Sequence, residues 1–123
     1  MKPSTVTIDM KLPSLNEYIR DCRTNPIIAA RKKKQIQEQI SWYLVKLPHY
    51  DKKVRIDFVW EEKDARRDLD NIAAGRKFIL DAMVEMGIIS NDNRKCLGAF
   101  SDSFPKPNGK KTFVRMTITE MED

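Results

Sequence analysis

Three aspartates and a lysine carry the clearest chemistry in this chain. Asp68 and Asp70 sit two apart in Arg66-Arg67-Asp68-Leu69-Asp70-Asn71, Lys77 follows, and Asp92 lies in Ser90-Asn91-Asp92-Asn93. In an extended segment, side chains two apart project to the same side, so Asp68 and Asp70 can share one cation. Two unit charges 4 Å apart interact by roughly 4 kcal/mol at a surface-like dielectric, so a third carboxylate brought to the same place requires a divalent ion. Hard oxygen ligands that leave room for water suit magnesium, with manganese as an alternative; such ions activate water and stabilise a leaving oxygen in phosphodiester cleavage. The competing reading is structural: Asp70 caps a helix and Asp68 decorates the turn before it.

Lys77 stands seven positions beyond Asp70, nearly two helical turns, on the same angular side. Its ammonium can lean back toward the acids across Ala73 and Ala74 and neutralise a phosphate or a developing negative charge. Otherwise it is a surface lysine opposite the apolar stripe of its helix. A pair of acids in a chain of net charge +5 calls for positive surroundings if the ligand is a polyanion. The excess of positive charge lies in the first sixty residues and includes the run Arg31 to Lys34. Four consecutive positions sweep round a helix, so at most two of them share a face. Charge alone fits a nucleic-acid partner and a solvated basic surface equally well.

The elements that position these residues follow from periodicity. Residues 5–12 alternate as a half-buried strand with Val6, Ile8, Met10 and Leu12 inward, ended by Pro13. Ser14-Leu15-Asn16-Glu17 has the form of a capping box and starts a short helix. After Asn25-Pro26, Ile36, Ile40, Tyr43, Leu44 and Leu47 recur at helical spacing as far as Pro48. Residues 53–60 and 112–119 alternate cleanly, and residues 95–101 form a poorer strand interrupted by Gly98. A helix is predicted from about Asn71 to Met86, with Ile72, Gly75, Ile79, Met83 and Met86 on its apolar stripe and Gly87 at its exit. Residues 105–111 read as an exposed basic hairpin loop.

These elements predict a small α/β protein of the α+β type: a mixed, largely antiparallel four-stranded sheet with helices on one face, in a single domain over residues 1–123. The two cysteines, Cys22 and Cys96, form no CxxC motif and support neither a disulfide framework nor a thiolate zinc site. No secretory leader and no membrane-length apolar run is present, so a cytoplasmic protein is expected.

Taken in order, Leu12-Pro13-Ser14-Leu15-Asn16-Glu17-Tyr18, the Arg66 to Asn71 element, Gly75-Arg76-Lys77-Phe78-Ile79-Leu80-Asp81-Ala82-Met83 and Gly87-Ile88-Ile89-Ser90-Asn91-Asp92-Asn93 resemble the RusA family of Holliday-junction resolvases. The resemblance covers most of the chain and is densest from Arg66 to Asp92. It implies a magnesium-dependent, homodimeric endodeoxyribonuclease that resolves four-way junctions by paired symmetric nicks, in recombination and repair or in phage DNA processing. Carried onto this sequence, it implies metal-binding catalytic roles for Asp68, Asp70 and Asp92, with Lys77 as the required helix cation and Arg76 as its rival. Asn91 stands where some members have a second acid. Arg66, Arg67, Asn71, Arg76, Asn16, Arg20, Lys32, Lys33, Lys110 and Lys111 are the expected DNA contacts. The alternatives are a non-catalytic basic nucleic-acid-binding module and a nuclease for other branched DNA. Asp92 lies far from Asp70 along the chain, so it joins the other acids only through a sharp return or from a second subunit.

Overall fold

The structure, a computed structural model, describes residues 3–122. Four strands form one open sheet: β1 (Ser4–Ile8), β2 (Val54–Glu61), β3 (Leu97–Ser103) and β4 (Phe113–Glu120), in the order β1-β4-β2-β3. β4 runs antiparallel to both β1 and β2, whereas β3 is parallel to β2. Val54, Ile56, Phe58 and Trp60 of β2, and Val114, Met116 and Ile118 of β4, are buried at alternate positions. Helices cover that face, as the alternation predicted, and the fully buried Phe58 alone contributes about 1.5–3 kcal/mol of burial.

The helices are α1 (Leu15–Thr24), α2 (Pro26–Leu44), the single-turn α3 (Leu69–Ala73) and α4 (Arg76–Glu85). Ile40 and Leu44 of α2 and Phe78, Ile79, Ala82 and Met83 of α4 join the strands in one hydrophobic cluster. The Ser14 hydroxyl accepts from the Glu17 amide at 3.2 Å, the predicted cap at the start of α1, while the Glu17 side chain reaches back to the Ser14 hydroxyl, accepting it at Oε1 at 3.2 Å. Asn25 caps α2 through the Ile28 amide at 3.2 Å, with Pro26 at the first helical position.

Four expectations need correction. The strand predicted over 5–12 stops at Ile8, where the Met10 amide bonds back to the Ile8 carbonyl at 2.9 Å; Leu12 is still buried, but as part of a loop. The helix predicted over 71–86 is divided at Ala74-Gly75, because short bonds from Gly75 to Ile72 and from Phe78 to Gly75 replace regular helical ones. A Cβ on Gly75 would stand 3.0 Å from Leu12 Cδ1 and 3.2 Å from Trp60, so glycine permits the close packing of this joint on the loop and the sheet. Met86, predicted inward, is the exposed C-cap of α4. The 105–111 segment is no hairpin, since β3 and β4 flank β2 on opposite sides. It passes over the end of β2, where the Asn108 and Gly109 amides donate to the Glu62 and Lys63 carbonyls, each at 3.0 Å.

Gly98 interrupts β3 as expected, and the structure supplies the reason. Val54 pairs with Leu97 and Arg55 with Ala99, so Gly98 is the extra residue of a bulge, beneath the Lys53 stem and Met121. α4 ends on Gly87 at φ 75°, with the Ile88 amide donating to the Met83 carbonyl at 2.9 Å and the Gly87 amide to Val84 at 3.0 Å. This left-handed exit turns the chain inward, and Ile88 and Ile89 are buried.

Candidate metal centre and nucleic-acid surface

Asp68 is the N-cap residue of α3 and Asp70 lies in its first turn. They are therefore not neighbours on an extended segment, and the same-side argument from strand geometry gives way to a helix start. Asp68 makes no capping hydrogen bond, and Asp70 Oδ1 accepts only the amide of Asn71, at 3.0 Å. Both carboxylates are exposed, and neither forms an ion pair among the described residues. Nearby acids behave differently. Asp64 pairs with Arg66, Glu62 with Arg67, and Asp102 with Arg76. In a chain rich in lysine and arginine, the two carboxylates of the motif are the ones left uncompensated beside this crowded corner.

Arg67 turns inward, against the expectation that it holds DNA. Its guanidinium donates to both carboxylate oxygens of Glu62 at 2.9 and 2.8 Å and to the Leu12 carbonyl at 2.9 Å. The side chains of this pair are only 13% and 10% exposed, so Arg67 ties the motif to the end of β2 and to the loop before α1. Asn71 has a similar duty: its side-chain oxygen accepts the Asn16 amide at 3.2 Å, docking the first turn of α1 on α3. Arg66 remains outward, with its side chain 87% exposed. Beside it a cleft of about 340 Å³ is lined by Asp64, Asp68, Leu69, Phe104 and Lys106.

The two candidate cations on α4 are already engaged. Arg76 donates to Asp102, whose other oxygen accepts the Trp60 indole at 2.8 Å, and it lies 4.1 Å above the Phe100 ring. That arrangement fixes Arg76 to the sheet and corrects its reading as a free DNA contact. Lys77 is 66% exposed and pairs one turn on with Asp81 at 3.3 Å. Asp81 also accepts Lys33 at 3.2 Å, and Lys32 pairs with Asp21 at 3.6 Å. Lys32 and Lys33 thus pair toward α1 and α4, Lys32 remaining exposed, while Arg31 and Lys34 are exposed and form no ion pair among the described residues. Lys111 pairs with Asp9 at 3.0 Å; Lys110, Arg20 and Asn16 are exposed.

Asp92 does not join Asp68 and Asp70 within one chain. Parallel pairing sets the start of β3 beside the start of β2, and Asp92 lies in the turn just before β3. Asp68 follows the other end of β2, whose eight residues span roughly 25 Å. Among the described residues no group of three or more His, Cys, Asp or Glu side chains is placed to hold a metal ion. Asp68 and Asp70 both lie at one helix start, and two carboxylates with retained water are a donor set that magnesium accepts.

No family model and no curated protein matches this chain. Among the described residues no helix is long and apolar enough to cross a membrane. Sequence reasoning missed that acids occupy many of the basic residues, Glu62, Asp81 and Asp102 among them. Asp81 stands one helical turn from Lys77, a spacing that signals a pair. The partners of Glu62 and Asp102 depend on how strands and loops meet, and carry no such local signal.

Proposed function

We propose that the chain is a magnesium-dependent, structure-specific endodeoxyribonuclease that cuts four-way DNA junctions and works as a homodimer. The reading rests on the ordered RusA-like motifs. The observation that carries it is the pair of exposed, uncompensated carboxylates of Asp68 and Asp70 in a basic protein. Magnesium held there would supply an activated water and stabilise the leaving oxygen of the phosphodiester. Asp68 and Asp70 hold the ion, and Asp92 joins them from the second subunit. Arg66 and Lys106 bind the flanking phosphates, and Lys77 exchanges its exposed pair with Asp81, a contact of little net worth, for the substrate backbone. The internal Arg67–Glu62 pair and the Asn71–Asn16 contact keep the segment bearing both acids fixed on β2 and α1.

Junction preference would come from placing the backbone of a branched duplex across two dyad-related sites, since a four-way junction presents two equivalent strands. The test is a substrate panel of four-way, Y-shaped and linear duplex DNA of shared sequence, with magnesium or with chelator. Paired nicks in the four-way junction alone, dependent on magnesium, are expected. Equal cutting of all three substrates would replace the resolvase by a less selective nuclease. Binding without cutting would favour the non-catalytic module, the reading supported by the distance of Asp92 within one chain.

A further inference from the structure

The solvent side of α2 carries a strip of residues that can complement itself when it is reversed. Ile27, Arg31, Lys34, Glu38, Trp42 and the C-cap Val45 recur three or four positions apart and therefore line one side of the helix. Ile27 is 74% exposed, Trp42 78% and Val45 62%, whereas Ile40 and Leu44 on the far side enter the core. Arg31, Lys34 and Glu38 form no ion pair among the described residues, although Lys34 and Glu38 are one helical turn apart. The result is a strip with apolar ends and a middle of opposite charges, all of it unused by the chain's own fold.

We propose that this face of α2 docks on the same face of a second copy of the chain, with the two helices antiparallel about a two-fold axis near residue 36. Positions equidistant from that residue then meet. Ile27 faces Val45 of the second copy, Lys34 faces its Glu38, and Trp42 lies beside its Arg31. The axis repeats each contact, so both ends close on apolar groups and the centre holds two ion pairs. A parallel alignment would set Lys34 on Lys34 and Glu38 on Glu38, which like-charge repulsion disfavours. Tryptophan and arginine, the residues that most often dominate interface energies, meet here in a geometry suited to a cation–π contact. Nucleic acid is the weaker occupant, because Glu38 in the middle of the strip would oppose a phosphate backbone. The inference depends only on the α2 pattern and stands whether or not the chain cuts DNA.

Sedimentation of the wild type, Trp42→Ala, Glu38→Lys and the charge-swapped Lys34→Glu/Glu38→Lys tests this, with circular dichroism confirming the fold of each. A wild-type dimer is expected, with association weakened about tenfold or more by either single substitution and largely recovered by the swap. A Gln35→Cys variant should also form an oxidised dimer that wild type, with Cys22 and Cys96, does not. A monomeric wild type would overturn the proposal, as would a dimer indifferent to all three variants, or quenching of Trp42 by single-stranded DNA without self-association. Cleavage measured separately on the same variants distinguishes loss of this surface from loss of the nuclease reading.

Discussion

Arg67 and Asp70 stand three residues apart and have opposite tasks, which their substitutions should separate. Arg67→Met leaves Glu62 unpaired in a site where both side chains are largely covered. Breaking one side of such a pair typically costs about 3–5 kcal/mol, so chemical denaturation should show a loss of that order, and Arg67→Met/Glu62→Leu should recover most of it. Asp68→Asn and Asp70→Asn remove exposed, unpaired charges and should change stability by no more than about 0.5 kcal/mol. On the proposed function, the same two substitutions abolish magnesium-dependent cleavage. A destabilised Asp70→Asn with normal cleavage would return that residue to a purely structural role. The sequence exposed the identity of these residues but not their direction. Arg66 and Arg67 are chemically alike, and which one turns inward is decided by Glu62 and by the Leu12 carbonyl, fifty-five positions away.

At the level of elements, alternation made β2 and β4 legible to within a residue or two, because each buries one face and exposes the other. The break between α3 and α4 was not legible, since Ile72, Gly75, Ile79 and Met83 keep helical spacing through it and all four are buried. The break is a packing feature: Gly75 meets Leu12 and Trp60 at distances that leave no slack for a side chain. Gly75→Ala should therefore cost about 1–3 kcal/mol by overpacking, read by thermal or chemical unfolding. Gly87→Ala should cost about 1 kcal/mol for a different reason, the left-handed φ of the α4 exit, with open space around it. A larger effect at Gly87 than at Gly75 would contradict this division of roles. Strand order lay beyond the sequence as well, because β3 chooses β2 rather than β4 through long-range register, and that choice turned the expected hairpin loop into a crossing over the end of β2.

The whole molecule sets the distance that matters most. Parallel pairing of β2 and β3 puts the turn bearing Asp92 at one end of the sheet and the motif bearing Asp68 and Asp70 at the other. The sequence left both routes for Asp92 open; the topology closes the route within one chain, and on the proposed function a second subunit would supply it. Complementation between two defective variants tests that assignment and the proposed activity together. Asp70→Asn and Asp92→Asn, each incubated alone with a labelled four-way junction and magnesium, should be inactive. Subunits exchanged between the two should form a mixed dimer with one site intact, which nicks a single strand. An inactive mixture beside an active wild type, or cleavage by either variant alone, would contradict the account.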